Sequence, residues 1–180
     1  SAQTLGNDKD SLLIEEGIAV NSTASLDYSD AEAVKVLGNP TEGALLLWLK
    51  KAGVDYLNLR ESAEVLEELP FSTERKYMAT IVKSSLFEGK TILYVKGAPE
   101  IVSGLCKNIE NNVSKTDIEN QLVEYQNQAM RTLGFAYQMF DGKADVFKDG
   151  KVVADNLTFM GVVAISDPVR LDVPAAVAEC

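Results

Sequence analysis

Four short segments of the chain carry side chains that could hold a flat, phosphorylated molecule. In "TILYVKGAPE" (91–100) an apolar, strand-like run stops on Lys96, followed by Gly97 and by Pro99, which can open a helix. A lysine so placed reaches a short way into a cleft beside a sheet, and the glycine lets another group approach the backbone. In "FSTERKYM" (71–78) Phe71 follows Pro70 and stands among polar residues, with Lys76 at the entrance to a strand and Met78 just inside it. An exposed ring can stack on a purine, and a nearby cation can meet its phosphates. "NPTEGALLLW" (39–48) sets Thr41 and Glu42 at a helix start, where a carboxylate can accept a hydrogen bond from an exocyclic amine. Arg131, near the end of a long helical pattern, could clamp a phosphate.

Taken singly, each has a plainer reading. Lys96 could be an exposed strand-end lysine, and Phe71 a half-buried ring at an edge strand. Glu42 could merely complement a helix dipole, as Arg131 could at a helix end. The combination favours a site. "GKT" at 89–91 is a decoy for a phosphate loop: Ser84 stands where the pattern needs glycine, and the following "TILYV" is β rather than helical.

Composition narrows the chemistry. The 180 residues carry a net charge of −10, which argues against general nucleic-acid binding. No histidine is present, removing histidine triads, most zinc sites and the commonest general base. Cys106 and Cys180 stand far apart without a CxxC context and read as reduced thiols. No apolar run approaches the roughly 20 residues of a membrane span, and no secretory leader pattern opens the chain. Without one, Asn-x-Ser/Thr at Asn21, Asn112 and Asn156 reads as chance. The first ten residues are polar and featureless, and Val173, Ala176, Val177 and Cys180 carry a helical pattern to the last residue, as in a piece of a longer protein.

The elements that must position these residues follow from patterning. Residues 12–20 could begin helical, and 21–30 read as a polar loop. A helix is predicted from Pro40, with Asn39 as N-cap, to a stop at Gly53. Residues 57–67 suggest a short helix and then an extended arm. "YMATIVKS" (77–84) and "TILYVK" (91–96) predict a hairpin. A helix follows near 99–106, and a longer one over 115–132, with Thr116 as cap and Gly134 as its end. "FAYQMF" (135–140) and "LTFMGVVAI" (157–165) read as strands around a polar excursion. The expected fold is α+β, with a mainly antiparallel twisted sheet flanked by helices.

Five segments, occurring along the chain in the family's order, resemble the nucleotide-binding domain of P-type ion-motive ATPases. "KGAPE" (96–100) stands intact as a motif of that domain, and "FSTERK" with Met78 is similar to its Phe-x-x-x-Arg-Lys-x-Met element. "TEGAL" (41–45) resembles Thr-Glu-x-Ala-Leu, and "MRTLGFA" (130–136) the arginine-bearing segment. "DPVR" (167–170) is similar to the Asp-Pro-Pro-Arg hinge. The wording is most like the type II calcium-pump branch. Thr73 departs from it, standing where calcium pumps can carry an arginine toward the phosphates.

The resemblance implies ATP as ligand, with Mg2+ in the full-length pump. Phe71 would stack on adenine, Glu42 would accept from its amino group, and Met78 would pack near the base. Lys76 and Lys96 would line the pocket, with Lys96 and Gly97 at its floor, Thr41 beside them, and Arg131 on a phosphate. It also implies a nucleotide-binding domain over 11–165, a start outside it over 1–10, and a hinge with the beginning of the phosphorylation domain over 166–180. The fragment, expected to be monomeric, would be the cytoplasmic part of an integral membrane protein. Its partners would be the phosphorylation, actuator and transmembrane domains of the same polypeptide. The phosphorylated Asp-Lys-Thr-Gly-Thr sequence is not in this chain, so the fragment alone is expected to bind nucleotide without hydrolysing it. The rival readings are a stand-alone nucleotide-using enzyme and a protein-interaction domain without a nucleotide pocket.

Overall fold

The computed structural model describes residues 8–30, 32–109, 115–128 and 130–165. The hinge-like "DPVR", Asn112, Cys180 and the helical pattern before it lie outside them.

Helix α1 (Lys9–Val20) opens the fold, with the Asp8 carboxylate accepting from the Ser11 amide as its N-cap. Asp8, Lys9 and Asp10 thus belong to a capped helix rather than to a featureless start. The stretch expected to be a loop contains β1 (Ser25–Asp27), which pairs antiparallel with β2 (Lys35–Leu37). That ribbon consists of two three-residue strands, too short for alternation to reveal it. Helix α2 (Pro40–Lys51) starts as predicted, with Asn39 Oδ1 accepting from the Thr41 and Glu42 amides. The chain leaves it through Gly53 at φ 80°, a left-handed turn that glycine adopts freely.

Helix α3 (Tyr56–Ser62) leads into β3 (Glu64–Leu69). The predicted hairpin is β4 (Tyr77–Lys83) with β5 (Thr91–Gly97). Then come α4 (Pro99–Leu105), β6 (Asn108–Ile109) and α5 (Lys115–Asn127). Strands β7 (Arg131–Phe140), β8 (Phe147–Lys148), β9 (Lys151–Val152) and β10 (Thr158–Ile165) complete the described chain.

Six strands form one sheet in the order β3-β4-β5-β7-β10-β6, antiparallel except for the β10–β6 pair. Alternation sends Val82, Ile92, Tyr94, Phe135 and Val163 to one face, under α1, α2 and α3. Ile81, Leu93, Val95, Ala136 and Val162 point the other way, beneath Val102 of α4 and Ile118, Leu122 and Tyr125 of α5. The result is the expected α+β fold, with helices on both faces of a mainly antiparallel sheet.

Two boundaries differ from the patterning. Helix α5 begins at Lys115, so Thr116 lies inside it, and it ends by Asn127. Arg131 is therefore not a helix-end cation: it opens β7, paired with Ile165 of β10. Gly134 does not stop the helix either. It sits within β7 opposite Gly97, where a Cβ would come 2.9 Å from Pro99 Cα, so the glycine serves packing.

Candidate functional site: a cleft at the end of the central strands

The site is built where β4 begins and β5 ends, on the face covered by α1 and α2. Lys96 pairs in register with Met78 of β4 and with Phe135 of β7, so its side chain rises toward the helices. It is only 5% exposed. Its ammonium donates to the main-chain oxygen of Asn21, the residue that ends α1, and to Glu42 Oε2 in the first turn of α2. A cation at the carbonyl end of a helix is favoured by the helix dipole.

Glu42 is held from two sides. Oε2 takes the Lys96 ammonium, while Oε1 accepts from the Thr23 hydroxyl at 2.9 Å and the Thr23 amide at 3.3 Å. The pair is largely withdrawn from water, with side-chain exposures of 6% for Lys96 and 12% for Glu42. Burial by itself would raise the Glu42 carboxyl. The Lys96 charge, its hydrogen bond and those from Thr23 outweigh that and hold it below its ordinary 4.5. Burial pushes the Lys96 ammonium below its ordinary 10.5, with Glu42 pulling the other way.

Gly97 has a cause internal to the fold. Lys76 adopts φ 65°, the left-handed region, and its carbonyl accepts from the Ala98 amide at 3.0 Å. A Cβ on residue 97 would lie 2.3 Å from that carbonyl oxygen and 2.6 Å from Tyr77 Cα. The group whose approach the glycine permits is thus the chain's own backbone at 76–77.

Above this floor opens a cleft of about 400 Å³. Glu42, Lys96, Gly97, Met78, Thr41 and Phe71 all line it. These six come from three separate segments of sequence. Phe71 is 58% exposed, an aromatic ring turned to the opening rather than into the core. Met78 is buried at the base. Arg131 is not among the lining residues, but its guanidinium donates to Thr41 Oγ1 at 3.3 Å, which puts a cation at the rim. Lys76 is exposed and does not line the cleft.

Thr23, Asn39, Pro70 and Leu133 line the cleft without having been picked out for it. Thr23 sat in a polar stretch with no periodicity, and only its bonds to Glu42 reveal it. Asn39 was legible as a cap, and the cap is what brings it to the rim. Chemically, the cleft offers an apolar slot between a ring and a methionine, an oriented carboxylate and a buried ammonium.

A family model described as P-type ATPase, cytoplasmic domain N, matches residues 11–172. The chain is 36% identical over 177 residues to the calcium-transporting ATPase PAT1 of Dictyostelium discoideum, covering 93% of this chain and 15% of that protein. It is 32% identical over 162 residues to calcium-transporting ATPase 1 of Lactococcus lactis, covering 85% of the chain and 18% of that protein. For the calcium-transporting ATPase of Bacillus subtilis the figures are 31% over 170 residues, 90% and 18%. The chain thus spans less than a fifth of the length of these relatives. It belongs to the family of P-type ATPase cytoplasmic N domains.

Proposed function

We propose that the cleft binds the adenine end of ATP, and that the chain is the nucleotide-holding part of a calcium-transporting pump. One observation carries this reading: Phe71, Glu42 and Lys96, from three segments, face a single hollow of about 400 Å³. That volume falls in the range of roughly 300–1,000 Å³ usual for small-molecule sites.

The residues present fit a purine. Phe71 supplies an open ring face for stacking, and Met78 a polarisable apolar wall. Glu42 Oε2 accepts one hydrogen bond from the Lys96 ammonium and keeps a lone pair for an exocyclic amine. Lys96, tied to Glu42 and to Asn21, closes the floor and holds the carboxylate in place. Arg131 at the rim lies on the side where phosphates leave the slot, and Lys76 serves them from outside it.

Bound ATP, with Mg2+ in the full-length pump, supplies the phosphoryl group, and its acceptor aspartate belongs to another domain. What this chain contributes is positioning: it holds the base while hinge closure carries the phosphates to that domain. The nucleotide-binding unit runs over 11–165, and 166–180 lead to the neighbouring domain. Alone, the fragment binds without turnover. Calcium as cargo comes from the names of the relatives, whereas the actuator and membrane domains as partners and a cytoplasmic location beside a membrane come from the family resemblance; all belong to this proposal.

Calorimetric titration tests it. The unaltered chain should bind ATP and AMP weakly, with Kd roughly 0.1–1 mM. Phe71→Ala should weaken both by about 1–3 kcal/mol through lost stacking. Lys96→Glu should abolish binding, with retained folding checked by circular dichroism. Parent-like binding by both variants would remove the pocket from this position. Turnover of ATP by the isolated chain would favour a stand-alone enzyme, and no binding at all an interaction domain.

A further inference from the structure

We propose that Arg75, clamped to the β8–β9 hairpin on the opposite face of the sheet, is a positioning residue that holds the aromatic plate of the cleft. This deepens the nucleotide-binding reading and rests on it.

Phe71 is too exposed for core packing to orient it. Its direction must come from the backbone of the link between β3 and β4, and Arg75 organises that link. Its guanidinium reaches two carbonyl oxygens at once: Nη2 donates to Pro70, the residue before Phe71, and Nη1 donates to Gly150 at 3.0 Å. The Arg75 amide donates to Ser72 Oγ at 3.0 Å, and the Lys76 amide to the Ser72 carbonyl at 2.7 Å, closing the turn after Phe71. The residue before the ring is thereby tied to the Arg75 side chain and the turn after it is closed by main-chain amides, while the Arg75 side chain itself does not line the cleft.

The far anchor is firm. Asp149 and Gly150 form the hairpin tip with φ of 53° and 72°, the left-handed pair of a tight two-residue turn. Val152 is buried against the sheet, and its amide donates to the Tyr77 hydroxyl at 2.9 Å. The Gly150 carbonyl is therefore a fixed point. A planar fork with several donors can bridge two carbonyls in this way, and a lysine ammonium, a single compact point charge, matches that geometry poorly.

The test is calorimetry with adenosine, AMP and ATP on the unaltered chain, Arg75→Gln, Arg75→Lys and Gly150→Ala. Loosening the plate should weaken all three ligands by a similar factor, about 3–10-fold, the cost of ordering one freed ring and its turn. Arg75→Lys should not restore affinity, because it keeps the charge and loses the fork. Gly150→Ala leaves the guanidinium intact and strains its partner, so it carries the test should Arg75→Gln fail to fold. Unchanged affinities in folded variants overturn the proposal and leave the cleft standing. A loss confined to ATP also overturns it, since that marks a direct phosphate contact. Failure of the unaltered chain to bind any of the three overturns the nucleotide reading, and this proposal with it.

Discussion

The Lys96–Glu42 pair is the energetic centre of the cleft, because each partner is buried on the strength of the other. Removing one charge strands its mate in low dielectric, a change that costs about 3–5 kcal/mol when a buried pair is broken. Lys96→Gln and Glu42→Gln should each show that loss in urea unfolding, and the double variant should lose less than the sum. The pH dependence has a definite sign. The folded state holds the Glu42 carboxyl below 4.5, so its contribution is complete above pH 4.5 and fades as pH falls through the lower folded value. The stability gap between the parent and Glu42→Gln should therefore narrow only below pH 4.5, and a gap constant down to pH 3 would contradict the ion pair. At this scale the sequence revealed the cation but not its partner. A lysine after "TILYV" is conspicuous, yet nothing local says that Glu42, fifty-four positions away, will neutralise it. Thr23 was hidden for the same reason: its role consists of contacts made across the fold.

At the scale of elements, the legible pieces were those with strong local chemistry. Helix α2 follows from Asn39, Pro40 and Gly53, and the β4–β5 hairpin from β-branched and aromatic residues around a glycine turn. Asn39→Ala should cost about 1 kcal/mol in thermal or urea unfolding by leaving the Thr41 and Glu42 amides unpaired, and should loosen Glu42 with them. Gly97→Ala should cost about 1–3 kcal/mol or more, since the group in its way is backbone and cannot step aside. A Gly97→Ala variant as stable as the parent, by melting temperature, would refute the close approach of residues 76–77. Arg131 and Thr132 fall at the end of the helix expected over 115–132 because their spacing suits either state. Partners in β10 settle them as strand, and pairing of that range leaves no local trace. The β1–β2 ribbon and the β8–β9 hairpin are too short to show a period at all.

At the scale of the whole molecule, a chain of net charge −10 gathers Lys96 in the floor of one cleft and Arg131 at its rim. Raising ionic strength should therefore weaken ATP more than adenosine in parallel titrations, since only the phosphates depend on exposed cations. The family was legible because several short motifs recur in one order. Their convergence on one hollow was not, since it depends on strand register and on the helices laid over it. Backbone amide chemical-shift mapping during adenosine and ATP titration puts that convergence to trial. The expected result is a single perturbed patch at Thr23, Glu42, Phe71, Met78, Lys96 and Gly97, with ATP extending it toward Arg131. Shifts gathered instead on the α4–α5 face, or none at millimolar ligand, would contradict it.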